Sequence, residues 1–128
     1  LTGAIIVALG VERAGLFCND NNLAKAIEKS GDLVNEKLWR MPIDDSYDKD
    51  ISSEIADMKN VGSGRGAGST AGAMFVKRFI NDIPWAHIDI AGVTWSKKDL
   101  PMVPKGGTGY GVRLLNQLVN DYWEKNIK

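Results

Sequence analysis

The sequence predicts an α/β protein in which one sheet is layered with helices. Short apolar segments that are typical of buried strands alternate along the chain with segments of helical periodicity. Of the 128 residues, 44% are hydrophobic and 25% are charged, which is the balance of one globular domain with a core. No internal repeat interrupts this order. We therefore expect a single domain over residues 1–128.

The first segment, LTGAIIVALG, is almost wholly apolar and fits two structures. It is either a short buried helix from Gly3 to Leu9 that Thr2 caps, or a buried strand from Ala4 to Leu9, because periodicity does not separate the two over so few residues. Domain termini are usually polar, and this chain has neither a polar start nor an initial methionine. We expect it to begin inside a larger domain.

A strand, a helix and an acidic segment follow. AGLFCN (14–19) predicts a buried strand, and residues 21–39 carry apolar side chains at helical spacing, with Asn21 or Asn22 as the N-cap. Residues 41–54 predict an acidic loop that includes one helical turn. EIADMKN (54–60) predicts a short, polar strand.

The second half predicts two helices around one strand. Ser69 or Thr70 begins a helix that runs to about Asn81, and WAHIDIAG (85–92) predicts the clearest strand of the chain. Residues 96–109 contain two prolines and three glycines and predict a loop. YGVRLLNQLVNDYW (110–123) predicts an amphipathic C-terminal helix.

Composition excludes several classes of function. Sixteen basic and sixteen acidic residues give a formal net charge of zero, so no overall field attracts nucleic acid or an anionic membrane. The longest apolar run, Ala4 to Leu9, is too short to span a bilayer. Cys18 is the only cysteine, which excludes an internal disulfide and suits a reducing compartment. We expect a cytoplasmic protein that binds neither nucleic acid nor membrane.

A glycine-rich stretch, VGSGRGAGSTAGAMFVKRF (61–79), raises the possibility of a nucleotide site. Gly66, Gly68 and Ala71 match the dinucleotide fingerprint, and Asp89 lies where a ribose-binding acid is expected. Against this, the preceding EIADMKN is far more polar than the buried strand of a true fingerprint. Close packing of a helix start is the alternative, since glycine permits it without a ligand.

His87 and Asp89 form the one candidate metal pair. They lie two residues apart on a predicted strand and therefore share a face. One histidine and one aspartate do not complete a catalytic metal site, which needs three protein ligands. We expect His87 to be a hydrogen-bonded core residue, and we predict no metal-binding and no catalytic residue in this chain.

Several segments resemble, in order and spacing, the C-terminal part of the leucyl aminopeptidases, also called cytosol aminopeptidases. They are LTGAIIVALG, AGLFCN, SGDLVNEKLWRMPI, ADMKN followed by the glycines and TAGAMFVKRF, WAHIDIAGVTW and KGGTGYGVRLLNQL. The resemblance covers essentially the whole chain. It implies a Zn-peptidase-like catalytic domain, with a mixed sheet between helix layers, of which residues 1–128 are an incomplete C-terminal portion.

The resemblance also implies a hydrolase that removes N-terminal amino acids from peptides with two divalent metal ions, Mn or Zn, and that assembles as a homo-hexamer. The family's metal-ligand lysine and aspartates, its N-T-D-A-E-G-R signature and its catalytic lysine all precede the LTGA motif, and none has a counterpart here. We therefore expect this chain to bind no metal and to be inactive alone.

We expect five residues to contact substrate, and four of them match family positions that do so. Leu1 and Gly3 match positions whose backbone groups contact the peptide, and Thr2 lies between them. Ala91 and Thr94 match positions that line the pocket for the substrate's first side chain, where small residues leave room for leucine or methionine. Thr94 departs from the apolar residue often found there. The glycine-rich stretch matches a loop and helix start near the active site, where we expect it to shape and pack.

Overall fold

The computed structural model describes residues 3–124, apart from the side chain of Trp123. In chain order the elements are α1 (Ala4–Leu9), β1 (Ala14–Cys18), α2 (Asn21–Leu33), β2 (Leu38–Arg40), α3 (Asp45–Asp50), α4 (Gly68–Lys77), β3 (Ala86–Asp89), β4 (Trp95–Ser96), β5 (Gly106–Gly107) and α5 (Val112–Leu118), which continues as a π-helical segment (Val119–Trp123). Within residues 3–124, no helix combines the length and apolar character that crossing a bilayer requires.

The main sheet is mixed. Within the described residues it has three strands in the order β2-β1-β3. β1 pairs in parallel with β2, where Ala14 lies opposite Leu38, and antiparallel with β3, where Leu16 lies opposite Ile88. β4 and β5 form a separate antiparallel pair. The predicted α/β class with a mixed sheet is confirmed.

Helices cover both faces of β1, all of whose residues are buried. One face of the strand packs with α2 and α5 in the largest core cluster, which includes Leu16 and Leu114. The other face places Phe17 in a cluster with Ala73 of α4 and with Trp85. Gly15 lies under α1, because a β-carbon there would be 2.5 Å from Ile5 Cδ1. A strand buried on both faces explains why AGLFCN is apolar throughout.

In the first half of the chain the structure decides one open choice and differs from the prediction at two points. Residues 4–9 are a helix, which decides between the two structures left open. Asp20, rather than Asn21 or Asn22, caps α2, and its Oδ1 accepts a hydrogen bond from the Leu23 N–H at 2.7 Å. The helix ends at Leu33, and β2 follows. Sequence periodicity hid this strand because it is short and only Leu38 in it is buried.

EIADMKN is not a strand, so that prediction is wrong. The segment is irregular, and its Lys59 N–H donates to the Ile51 carbonyl at 2.8 Å. Arg78, which follows α4, donates from Nη1 to the Asp57 carbonyl of the segment at 3.5 Å. The Arg78 Nε and Nη2 atoms each donate to the Asp48 carboxylate of α3 at 2.9 Å, and Nη2 also donates to Ser52 Oγ at 3.1 Å. The Arg78 hydrogen bonds hold the pKa of Asp48 below its usual value.

The second half follows the prediction closely. α4 begins one residue before Ser69 and ends at Lys77, and its N-cap, Ala67, adopts a left-handed conformation with φ of 51°. β3 confirms the strand in WAHIDIAG. The predicted loop contains the short β4–β5 pair, and the C-terminal helix is confirmed with a change to π-helical bonding at Val119.

Candidate substrate-contact site

The segment after β3 carries two of the residues predicted to line the substrate pocket. Ala91 is half-buried, and its N–H donates to Asp89 Oδ1 at 3.2 Å, which turns the chain as β3 ends. Thr94 is exposed, and its carbonyl accepts a hydrogen bond from the Thr108 N–H at 3.0 Å. Thr108 also donates from Oγ1 to the Val93 carbonyl at 2.7 Å. These bonds fix the backbone at both ends of the segment while the Thr94 side chain remains accessible.

Helix α1 carries the remaining candidates. Gly3 is its N-cap, with φ of 70°, and the Gly3 carbonyl accepts from the Ile6 N–H at 3.1 Å. This left-handed conformation favours glycine. The N-cap is therefore Gly3 rather than Thr2, the residue expected from the sequence. Leu1 and Thr2 lie outside the described residues, so the substrate contacts predicted there stay predictions.

The two segments touch through a pair of glycines. A β-carbon on Gly92 would overlap the carbonyl oxygen of Gly10 and would lie 3.5 Å from Ile6 Cγ1. The loop after β3 therefore meets the C-terminal half of α1, whereas Gly3 is at the other end of the helix. The structure brings the two segments into contact, but Gly3 and Ala91 do not lie at the point of contact.

His87 lies among aromatic rings. Its ring centroid is 5.9 Å from that of Phe17 and 6.3 Å from that of Trp85, with the Trp85 ring stacked at 14°. Burial lowers the pKa of His87, and the neighbouring Asp89 carboxylate opposes that effect. Within residues 3–124 the ring is held by these contacts rather than by the hydrogen bond we expected. His87 is therefore a packing residue of the sheet.

The described residues do not form a metal site. In residues 3–124, no group of three or more histidine, cysteine, aspartate or glutamate side chains is placed to hold an ion. Asp89 is buried and its carboxylate accepts from a backbone N–H, and His87 packs against rings. The donor set of the described chain therefore does not fit the two metal ions that the resemblance implies.

The dinucleotide alternative is not supported. A fingerprint needs a buried strand directly before its glycines, but the residues between α3 and α4 are irregular in the described structure. Asp89, the expected ribose ligand, is 5% exposed, and its Oδ1 is engaged by the Ala91 N–H. Gly66 and Gly68 thus precede a helix without the rest of the motif.

A cleft lies between α1 and the start of α4. It has a volume of about 400 Å³, and Ala4, Val7 and Ala8 of α1 form one wall. The opposite wall is formed by residues 65–70 of the glycine-rich stretch, and Met41, Pro42 and Tyr47 complete the lining. The cleft adjoins Gly3 through Ala4, so it borders the predicted substrate-contact segment of α1.

Sequence reasoning missed one buried ionic site. The side chain of Glu36 is 1% exposed and lies 3.0 Å from Arg113 Nη2. Glu36 Oε2 accepts from the Gly111 and Leu114 N–H groups, each at 3.0 Å, and so caps α5. Glu36 Oε1 contacts Arg113 as an ion pair without a well-directed hydrogen bond. No signal marked Glu36, because it fell within a stretch whose spacing looked helical.

Comparison with known proteins connects this geometry to a family. Residues 1–116 match the catalytic domain of the cytosol aminopeptidase family. A relative named "Probable cytosol aminopeptidase" from Ehrlichia ruminantium is 50% identical over 98% of this chain and 26% of its own length. One of the same name from Caulobacter vibrioides is 52% identical over 97% of this chain and 25% of its own length.

A solved structure gives the same result. A mutant of tomato leucine aminopeptidase superposes with a TM-score of 0.84 at 42% identity, over 93% of this chain and 23% of that one. The chain therefore spans about a quarter of the length of the relatives it matches. Because the family's catalytic domain matches residues 1–116, the chain belongs to the cytosol aminopeptidase family.

Proposed function

We propose that residues 1–128 are a C-terminal portion of the catalytic domain of a metal-dependent leucyl aminopeptidase, which releases N-terminal amino acids from peptides. The observation that carries this proposal is the catalytic-domain match over residues 1–116. The likeness to tomato leucine aminopeptidase supports it, because fold and sequence agree over the same part of the chain.

The resemblance implies two divalent ions, Mn or Zn, in the parent enzyme. When bound, such ions polarise the scissile carbonyl and supply a hydroxide nucleophile. The described residues offer no ligand set for them. We propose that residues 1–128 bind none of the metal themselves and that the ligands and the catalytic lysine come from another part of the enzyme.

The role of this chain is to form part of the substrate pocket. Ala91 and Thr94 would line the pocket for the first side chain of the peptide, and the backbone of Leu1 and Gly3, with Thr2 between them, would contact the peptide chain. The fixed backbone around Thr94 supports this role, because a specificity pocket needs a wall that does not move. A homo-hexamer in the cytoplasm is the assembly and location that the resemblance implies.

A specificity measurement on the complete gene product tests the pocket. Ala91→Leu adds three carbons to the proposed wall, and one methylene in such a pocket changes kcat/KM by about 10-fold or more. We expect kcat/KM for leucine p-nitroanilide to fall at least tenfold relative to alanine p-nitroanilide. The matched control is Ala56→Leu, at an exposed alanine in the irregular segment. Equal losses for both substrates, or the same loss in the control, would remove Ala91 from the pocket.

A further inference from the structure

The segment that follows β3 carries the proposed pocket residues Ala91 and Thr94, and we call residues 91–95 the wall segment. Within the described residues the main sheet consists of β1, β2 and β3, so the wall segment lies outside it. Its start packs against the end of α1 through Gly92. Its end enters β4, which pairs with β5. Thr94 lies between these two attachments, so its position depends on what holds the backbone beside it.

Thr108 holds the wall segment with both its backbone and its side chain. In the register of the β4–β5 pair it lies opposite Thr94, and its N–H donates to the Thr94 carbonyl at 3.0 Å. Its Oγ1 donates to the Val93 carbonyl at 2.7 Å and accepts the Tyr110 N–H at 3.2 Å. A threonine hydroxyl has a single hydrogen to donate, and both bonds together fix the orientation of the Thr108 side chain.

Tyr110 anchors Thr108 to the main sheet. The Tyr110 hydroxyl donates to the Lys37 carbonyl at 2.9 Å, with the Glu36 carbonyl 3.1 Å away. Lys37 directly precedes β2, and its carbonyl also accepts the Ala14 N–H of β1 at 3.1 Å. Burial and the Glu36 carboxylate raise the pKa of Tyr110, so its hydroxyl stays protonated and remains a donor. A continuous path of hydrogen bonds therefore joins the wall segment to the buried strand β1.

We propose that Thr108 is a positioning residue for substrate specificity, whose hydroxyl holds the wall segment where Ala91 and Thr94 leave room for a leucine or methionine side chain. Thr108 acts through the backbone of Val93 and Thr94 rather than by contact with substrate. The proposal rests on the proposed function, which places the pocket at this segment. Every hydrogen bond in the path joins residues within 3–124, so the path needs no other part of the enzyme.

Loss of the Thr108 hydroxyl should move the wall segment without unfolding the protein. Val93 is 8% exposed and belongs to the largest core cluster, so its side chain keeps the segment attached. Thr94 is exposed, so its position relies on the backbone hydrogen bonds. One neutral hydrogen bond changes an equilibrium constant by about 2- to 10-fold. A displaced wall affects a side chain that fills the pocket more than one that leaves it partly empty, so leucine loses more than alanine.

Steady-state kinetics of the complete gene product test this role. Thr108→Val has nearly the same shape as the wild type and lacks the hydroxyl. We expect KM for leucine p-nitroanilide to rise about fivefold, with kcat and the KM for alanine p-nitroanilide within about twofold of the wild type. Thr108→Ser keeps the hydroxyl and should restore the wild-type KM. If Thr108→Val does not fold, Thr108→Ala against Thr108→Ser makes the same comparison, because only serine keeps the hydroxyl.

Asp20→Ala is the matched control. Asp20 Oδ1 accepts the Leu23 N–H at 2.7 Å, so this variant also loses a side-chain bond to the backbone. Asp20 follows β1 at Cys18, which is the end of the β1–β3 pair away from Asp89 and the wall segment. Its ratio of KM values for the two substrates should stay that of the wild type. Equal changes for both substrates in Thr108→Val, the same rise in Asp20→Ala, or no recovery in Thr108→Ser would overturn the proposal.

Amide hydrogen exchange of the complete gene product separates this proposal from the proposed function. In Thr108→Val, the amides of the wall segment and of residue 108 should exchange about fivefold faster, whereas those of β1 should not change. Unchanged exchange in the wall segment contradicts the positioning role, and faster exchange with unchanged KM for leucine p-nitroanilide contradicts the link to specificity. If the wild type hydrolyses neither substrate, the proposed function fails, and hydrogen exchange still decides whether Thr108 holds the segment.

Discussion

Replacing Glu36 with alanine should destabilise the fold, because this buried carboxylate joins the segment before β2 to the start of α5. Its Oε2 accepts from the Gly111 and Leu114 N–H groups at 3.0 Å, and its Oε1 faces Arg113 Nη2 at 3.0 Å. The substitution removes all three contacts. Leu114 is fully buried, so no water replaces the acceptor that its N–H loses.

The magnitude follows from these contacts. A buried donor left unsatisfied costs about 1–3 kcal/mol, and loss of a helix cap costs about 1 kcal/mol. The Arg113 side chain is 37% exposed, so its charge is solvated by water once Glu36 is removed. Loss of this ion pair therefore adds little to the fall in unfolding free energy. We expect a loss of about 3 kcal/mol, the lower end for a broken buried ion pair. Glu36→Gln keeps one acceptor oxygen and should lose about half as much.

Urea unfolding, followed by tryptophan fluorescence, measures this loss. Glu54→Ala, at an exposed glutamate of the irregular segment, is the matched control and should stay within about 0.5 kcal/mol of the wild type. If Glu36→Ala unfolds like Glu54→Ala, the Glu36 contacts do not stabilise the native state and the reasoning is refuted.

Two further predictions concern residues that pack in or next to β3. Gly92→Ala should lower the urea midpoint of unfolding, because its β-carbon would overlap the Gly10 carbonyl oxygen. The control Gly64→Ala has open space around its β-carbon and should leave the midpoint unchanged. Equal midpoints for the two variants would contradict the contact between Gly92 and Gly10. Burial lowers the pKa of His87 in the folded state. The stability that the neutral His87 side chain contributes is therefore fully present above the unfolded pKa of 6.5, and it is lost as the pH falls through the lower pKa of the folded state. His87→Gln should therefore show a flatter dependence of unfolding free energy on pH below 6.5, and an unchanged slope would show that His87 does not titrate this way.

Much of the fold could be predicted because its signals are local. β1 is an unbroken apolar run, and α4 and β3 have clear periodicity, so these elements were confirmed. β2 was missed because it is short and its one buried residue, Leu38, continued the spacing of α2. The polar strand predicted for residues 54–60 was wrong. The hydrogen bonds that Lys59 and Asp57 of this segment make to Ile51 and Arg78 are not revealed by any local pattern.

The candidate site was less accessible to sequence reasoning. Ala91, Thr94 and Gly3 came from family resemblance alone, since small residues at a strand end or a helix cap have no distinctive chemistry. Glu36 and the α1–α4 cleft depend on residues that are far apart in sequence and meet only in the folded chain. Periodicity reports which face of an element is buried, and it does not report which elements meet.

Hydrolysis of leucine p-nitroanilide in excess Mn²⁺ or Zn²⁺ tests the central claim most directly, with the complete gene product and the 128-residue chain assayed side by side. The account predicts metal-dependent turnover by the complete gene product and none above a metal-only blank by residues 1–128. If residues 1–128 turn over substrate alone, and the turnover survives substitution of His87 and Asp89, the account is contradicted. A complete gene product that has no aminopeptidase activity with either ion would contradict it equally.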